Sequence, residues 1–144
     1  MNYGELLSSF LVDLQSVYRS NINIEGASFP QVLAISIIPD DGIEMSVLSK
    51  KIGIDNSTAT RLVIGLEKKG WVHRRSSNYD KRVIQVALTQ EGDEIQTQLE
   101  QQFDLLGEAI EREVDPLDRN EMIEYVSSLH WILSKLILKK DKIV

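Results

Sequence analysis

Catalysis would require a nucleophile beside a base, a glycine-rich phosphate loop or metal-spaced carboxylates, and no such set stands in this chain. It has no cysteine, which removes thiol nucleophiles, thiolate metal sites, disulfides and thiol redox switches. His73 and His130 are far apart and neither sits in a ligand-spaced cluster, so no metal, no cofactor and no enzymatic activity are expected. The chemistry-bearing residues are instead hydroxyls and cations between positions 57 and 82. They are Ser57, Thr58, Thr60, Arg61 and Lys68, followed by Arg74, Arg75, Lys81 and Arg82. Hydroxyls, ammonium groups and guanidiniums donate hydrogen bonds to base edges and phosphates.

Such groups need a scaffold that presents them together. Leu48-Ser49-Lys50-Lys51-Ile52-Gly53-Ile54 and the following Ala59 and Leu62 meet the demands of a helix-turn-helix. Ser49 is small where two helices would touch, Gly53 is free to take a positive φ at the turn, and the apolar set packs one helix on the other. In the second helix Ala59, Leu62, Val63 and Leu66 form an inner face. Ser57, Thr58, Thr60, Arg61, Ile64, Gly65 and Lys68 then face outward, with Ile64 available to a thymine methyl. At least one of Asp55, Asn56 and Ser57 serves as the helix cap. Gly65 either admits a close backbone approach to DNA or is merely tolerated, at a cost of about 1 kcal/mol.

After Gly70 the apolar period changes to two, over residues 71–75 and 83–88, with Ile84, Val86 and Leu88 on one face. The polar link 76–81 makes this pair a hairpin. A basic hairpin directly after a recognition helix is the wing of a winged helix, whose arginine enters the negative minor groove. Asp80 is read as the residue that braces the neighbouring arginines.

The charge distribution agrees. The formal net charge is −6, yet residues 43–92 hold nine bases against five acids. Residues 1–42 hold one base against five acids, and residues 93–144 six against twelve. A basic centre between acidic flanks suggests a central piece that meets a polyanion.

The outer elements are helical. Leu7, Phe10, Leu14, Val17 and Tyr18 recur at helical spacing over residues 3–21, and Ser28 caps a second helix that runs to about Ile38. Pro39-Asp40-Asp41-Gly42 is a turn, and Ile43-Glu44-Met45 a short strand. Thr89 caps a long helix carrying Ile95, Leu99, Phe103, Leu106 and Ile110. Asp115-Pro116 supplies the cap and first residue of a last helix with Met122, Val126, Leu129, Leu133 and Leu136. Ile123, Trp131, Ile132, Ile137 and Leu138 add more apolar surface than one stripe hides, which points to a homodimer through the terminal helices. No stretch has the length of a membrane span, and the N-terminus lacks the basic region of a signal peptide, so a cytoplasmic, nucleoid-associated protein is expected, with no membrane partner.

The stretch 48–89 resembles the MarR family of bacterial transcription regulators. IGIDNSTATRLVIGLEKKGWVHR, the wing Asp80-Lys81-Arg82 and the downstream Leu88-Thr89 carry the resemblance. The fold class expected is mainly α with a small β-hairpin, a winged helix-turn-helix core flanked by dimerisation helices. Residues 1–144 form one domain, in which 28–89 are the DNA-binding lobe and 1–27 with 90–144 the helical dimerisation region. The resemblance implies a triangular homodimer that binds double-stranded DNA at a palindromic operator, as a repressor. It places Ser57, Thr58, Thr60 and Arg61 in the recognition helix and Arg82 at the wing tip, braced by Asp80. Ile64 and Gly65 depart from the polar or charged residues usual there. Small phenolic or aromatic anions act as effectors of many such regulators, and Tyr18, Phe29 and Trp71 are the aromatics that could line an effector pocket or simply fill the core. The competing reading is a winged-helix module that binds a protein partner and no DNA. The basic wing argues against it.

Overall fold

The structure, a computed structural model, describes residues 1–139 and 143. Six helices and a three-stranded antiparallel sheet follow one another as α1 (Tyr3–Asn21), α2 (Phe29–Ile37), β1 (Ile43–Glu44), α3 (Met45–Ile52), α4 (Asn56–Lys68), β2 (Val72–Ser76), β3 (Ile84–Leu88), α5 (Gln90–Glu113) and α6 (Arg119–Ile137). This is the expected class, mainly helical with a small sheet.

Local chemistry explains most boundaries. Asn2 and Glu5 form a reciprocal capping box at the start of α1, and Ser28 and Gln31 form another at α2, whose first turn accepts Pro30. Met45 opens α3, which leaves only two residues for β1. Gly53 ends α3 at φ 74°, the left-handed conformation that favours glycine. Asp55 caps α4 by accepting from the Thr58 backbone N–H at 2.7 Å, and Thr89 caps α5 by accepting from Gly92 N–H at 3.0 Å. Asp115 caps too, but what it starts is a single 3-10 turn, Pro116–Asp118; its carboxylate accepts from Leu117 N–H at 3.0 Å, and α6 begins only at Arg119.

The sheet order is β1-β3-β2, with Ile43 opposite Val86 and Arg74 also opposite Val86. The face assignment in β3 differs from simple alternation. Val86 and Ala87 are both buried while Ile84 is exposed, because Ile84 pairs with Ser76 beyond the end of β1 and has nothing above it. The core joins Ile35 of α2, Ile38 just after it, Leu48 of α3, Val63 and Leu66 of α4, Val72 of β2, Val86 of β3 and Leu99 of α5. Gln96 of α5 donates to the Ile35 and Ile38 carbonyls at 2.9 and 2.8 Å, and so closes the C-terminal end of α2. Gln102 of α5 grips both backbone groups of Asn23. The first half of α5 is thus packed into the lobe that precedes it.

The terminal helices behave oppositely. Neither α1 nor α6 contains a buried residue. Leu6, Phe10, Leu11 and Val12 on α1, and Ile123, Val126, Trp131, Ile132 and Leu133 on α6, are exposed. No helix among the described residues is long and apolar enough to cross a membrane.

Candidate nucleic-acid interface

The helix-turn-helix is α3 and α4. Ser49 is buried at their crossing, where its one hydroxyl proton is shared between Asn56 Oδ1 at 2.8 Å and the Ser46 carbonyl at 2.9 Å. Asn56 is thereby used to join the two helices, and Asp55 is the cap. That cap's bond from the Thr58 backbone holds the Asp55 carboxyl below its ordinary range, a carboxylate matched to the positive end of α4.

Ala59, Val63 and Leu66 are fully buried, and Leu62 half-buried. Ser57, Arg61 and Lys68 are exposed on the opposite side. Thr58 and Thr60 are half-buried. The Thr60 hydroxyl donates to the Asn56 carbonyl at 2.8 Å, and Thr58 Oγ1 accepts weakly from Arg61 at 3.4 Å. Gly65, expected to face outward, instead meets α2: a Cβ there would lie 2.9 Å from Gln31 Nε2. The residue is half-buried, and this neighbour is the movable end of the Gln31 side chain.

The four basic residues of the hairpin separate into two pairs. Arg74 reaches back to Glu67 on α4, with Nη2 3.0 Å from Oε1 and with Nε and its backbone N–H donating to Oε2. The same hydrogen bonds hold the Glu67 carboxyl below its ordinary range. Arg75 donates to the Asp41 carbonyl at 2.8 Å and to Gln85 Oε1 at 3.3 Å, tying β2 to the turn before β1. Lys81 and Arg82 lie exposed at the tip, where Arg82 meets only its neighbour Asp80. Asp80 Oδ1 accepts from Arg82 Nε at 3.2 Å and from its backbone N–H at 3.0 Å. These bonds lower the Asp80 pKa, chiefly through the guanidinium, whose side chain is still 91% exposed.

Recognition helix and wing share a cleft of about 360 Å³. Asn56 and Thr60 of α4, Glu44 and Ser46 near the start of α3, and Arg74 and Arg82 of the hairpin line it. The joint behind this cleft is built by Thr89, whose hydroxyl donates to the Gly70 carbonyl and whose N–H donates to the Trp71 carbonyl at 3.0 Å. Leu-Thr after the wing therefore fixes α5 to the turn that follows α4.

Of the aromatics considered for an effector, the structure brings no two into one cavity. Tyr18 packs on Phe103 with ring centroids 5.9 Å apart, Phe29 lies under the Arg19 guanidinium at 4.4 Å, and Trp71 is a core residue. His73 is exposed on β2, and no three potential metal ligands cluster among the described residues.

Comparison with known proteins places this geometry. The MarR family model matches residues 31–84, from within α2 to the first residue of β3. The multiple antibiotic resistance protein MarR of Escherichia coli (strain K12) is 31% identical over 124 residues, 86% of this chain and 81% of that protein. The transcriptional repressor MprA of the same organism is 31% identical over 96 residues, 62% of this chain; the match spans about half of that protein, 54% of its length. The crystal structure of Streptococcus pneumoniae FabT in complex with DNA superposes with a TM-score of 0.72 at 23% identity, over 92% of this chain and 96% of that one. With the helix-turn-helix, the braced wing and the Leu-Thr joint all in place, the chain belongs to the MarR family.

Proposed function

We propose that this protein is a transcription regulator that binds double-stranded DNA sequence-specifically, as a homodimer on a palindromic operator, and represses. The observation that carries the reading is the shared cleft of α4 and the wing, bordered by Thr60 and Arg82, with Arg61, Lys68 and Lys81 exposed around it. An α-helix fits the major groove and a cationic hairpin tip fits the adjacent minor groove, so the two elements can engage one duplex together. Ser57, Thr58, Thr60 and Arg61 read or position the helix, and Lys68, Lys81 and Arg82 neutralise phosphates or enter the minor groove. The relatives carry names of regulators, among them a repressor, and a protein of this fold has been crystallised on DNA.

Dimerisation rests on the exposed apolar faces of α1 and α6. An open cleft of about 490 Å³ between α5 and α6, walled by Phe103, Ile110, Met122 and Ile123, offers a seat for an apolar helix of the second copy. Burying each of these side chains stabilises the pair by roughly 1.5–3 kcal/mol. Two copies related by a twofold axis present two recognition helices to two half-sites.

Release by a small aromatic or anionic effector belongs to the same proposal. At the junction of α1 and α2 a cavity of about 220 Å³ is lined by Arg19 and Phe29 with Ile22, Ile24 and Val32. A guanidinium beside an aromatic ring is matched to a carboxylate on an aromatic ligand. Footprinting on the DNA flanking its own gene tests the reading. Two protected half-sites with centres about one helical turn apart support it, and absence of protection on any duplex rejects it.

A further inference from the structure

The sequence places four cations in the hairpin, and the structure ties two of them, Arg74 and Arg75, to elements outside it. Arg74 is the more consequential. Its strand, β2, is the edge of the sheet, and the Arg74 N–H points away from β3 to the carboxylate of Glu67. Glu67 stands in the last turn of α4, before the Gly70 turn, and takes three hydrogen bonds from one arginine. The Arg74 side chain is 37% exposed, against 91% for Arg82. The Asp80–Arg82 pair spans two residues and orders only the tip. The Glu67–Arg74 pair spans seven and joins two different elements, the recognition helix and the wing.

We propose that Glu67 is a positioning residue for DNA recognition: through Arg74 it clamps β2 to α4 and sets the angle at which the wing leaves the recognition helix, so that Arg74 neutralises no phosphate. The inference rests on the DNA-binding reading above. A consequence follows that runs against simple electrostatics. Removing an acid beside a polyanion strengthens binding when the acid acts only by its charge. Removing a clamp weakens it, because the wing must then be ordered at the moment of binding.

The test compares wild type, Glu67→Ala, Arg74→Ala, the double variant and Arg82→Ala on one operator selected from random duplexes, with affinities measured across a salt series. Glu67→Ala and Arg74→Ala are each expected to bind roughly fivefold more weakly or worse, with the wild-type salt slope, and the double variant no worse than either alone. Arg82→Ala is expected to lower the slope by about one unit per subunit. Tighter or unchanged binding by Glu67→Ala overturns the clamp, as does an Arg74→Ala slope that falls like that of Arg82→Ala. Amide hydrogen exchange at Arg74 in the free protein separates this from failure of the functional reading. Glu67→Ala is expected to speed it about tenfold whether or not DNA binds, because the N–H loses its acceptor. Unchanged exchange refutes the clamp itself, whereas a wild type with no duplex affinity refutes the DNA-binding reading.

Discussion

Replacing Gly92 by alanine should be far more damaging than its place in a helix suggests. Gly92 lies in the first turn of α5, where alanine normally gains about 1 kcal/mol over glycine. A Cβ at this position, however, overlaps the carbonyl group of Trp71. That carbonyl accepts from Thr89 N–H, Trp71 N–H donates to the Leu66 carbonyl at 3.2 Å, and the indole is only 8% exposed within the core. Neither backbone can yield alone. Relief requires moving the first turn of α5, which gives up the Thr89 cap, worth about 1 kcal/mol, and its bonds to Gly70 and Trp71, worth about 1 kcal/mol each. After the propensity gain and with residual overpacking, a net loss of about 3 kcal/mol is expected. At this chain length that lowers the melting temperature by roughly 6–12 °C. The comparison is Gly107→Ala on the same helix, where a Cβ meets nothing of its own chain within 4 Å; the expected propensity gain of about 0.5–1 kcal/mol is reduced by whatever the added methyl costs in the α5–α6 cleft offered to the second copy, which Gly107 lines. Thermal and urea unfolding at one fixed protein concentration measure both. A Gly92→Ala protein as stable as Gly107→Ala would refute the packing argument for this joint.

Charged replacements at Leu129 and Leu133 of α6 should dissociate or unfold the protein, since an unpaired charge in an apolar interface is costly; sedimentation reads this, and a wild type monomeric at micromolar concentration contradicts the dimer. Arg61→Ala should cost roughly 1–3 kcal/mol on the operator and flatten discrimination at one base position if Arg61 meets a base, as competition with single-site operator variants would show. Asp80→Ala should imitate a weaker Arg82→Ala in gel-shift assays, because it removes the brace and leaves the charge. Glu67 and Asp80 have lowered folded-state pKa values, so the stability they contribute is present above the unfolded carboxylate value near about 4 and is lost as pH falls through their folded values. Wing amide exchange, corrected for its intrinsic pH dependence, should thus show unchanged protection from about pH 5 to about pH 8 and lose it in acid, where protonation of these carboxylates undoes the links.

What the sequence made legible is what leaves a local mark. Gly53 and Ser49 specify the helix crossing, Ser28, Thr89 and the Asp55–Ser57 group announce caps, and the apolar period locates α1. Contacts between distant groups leave no such mark. Nothing in the spacing of Arg75 and Asp41 tells that one closes on the other's carbonyl across 34 residues. Arg74 and Arg75 looked equivalent to Lys81 and Arg82 because all four share a basic hairpin, and only the sheet's position against α4 and the 39–42 turn distinguishes them. Gly92 was opaque for the same reason: what forbids a side chain there is the Trp71 carbonyl, distant in sequence. The local proline signal at Pro116 did mark a turn, but the 3-10 geometry it starts delays α6 by three residues.

On the proposed function, an acidic chain binds duplex DNA through the exposed cations of α4 and the wing. The most direct test is the salt dependence of operator affinity, followed by fluorescence anisotropy from low to physiological salt. If Arg61 meets a phosphate alongside Lys68, Lys81 and Arg82, all exposed, each subunit makes about four phosphate contacts, and a dimer should show log K falling against log salt with a slope of about −7. A slope near zero, or equal affinity for the operator and a scrambled duplex at every salt concentration, would contradict the account.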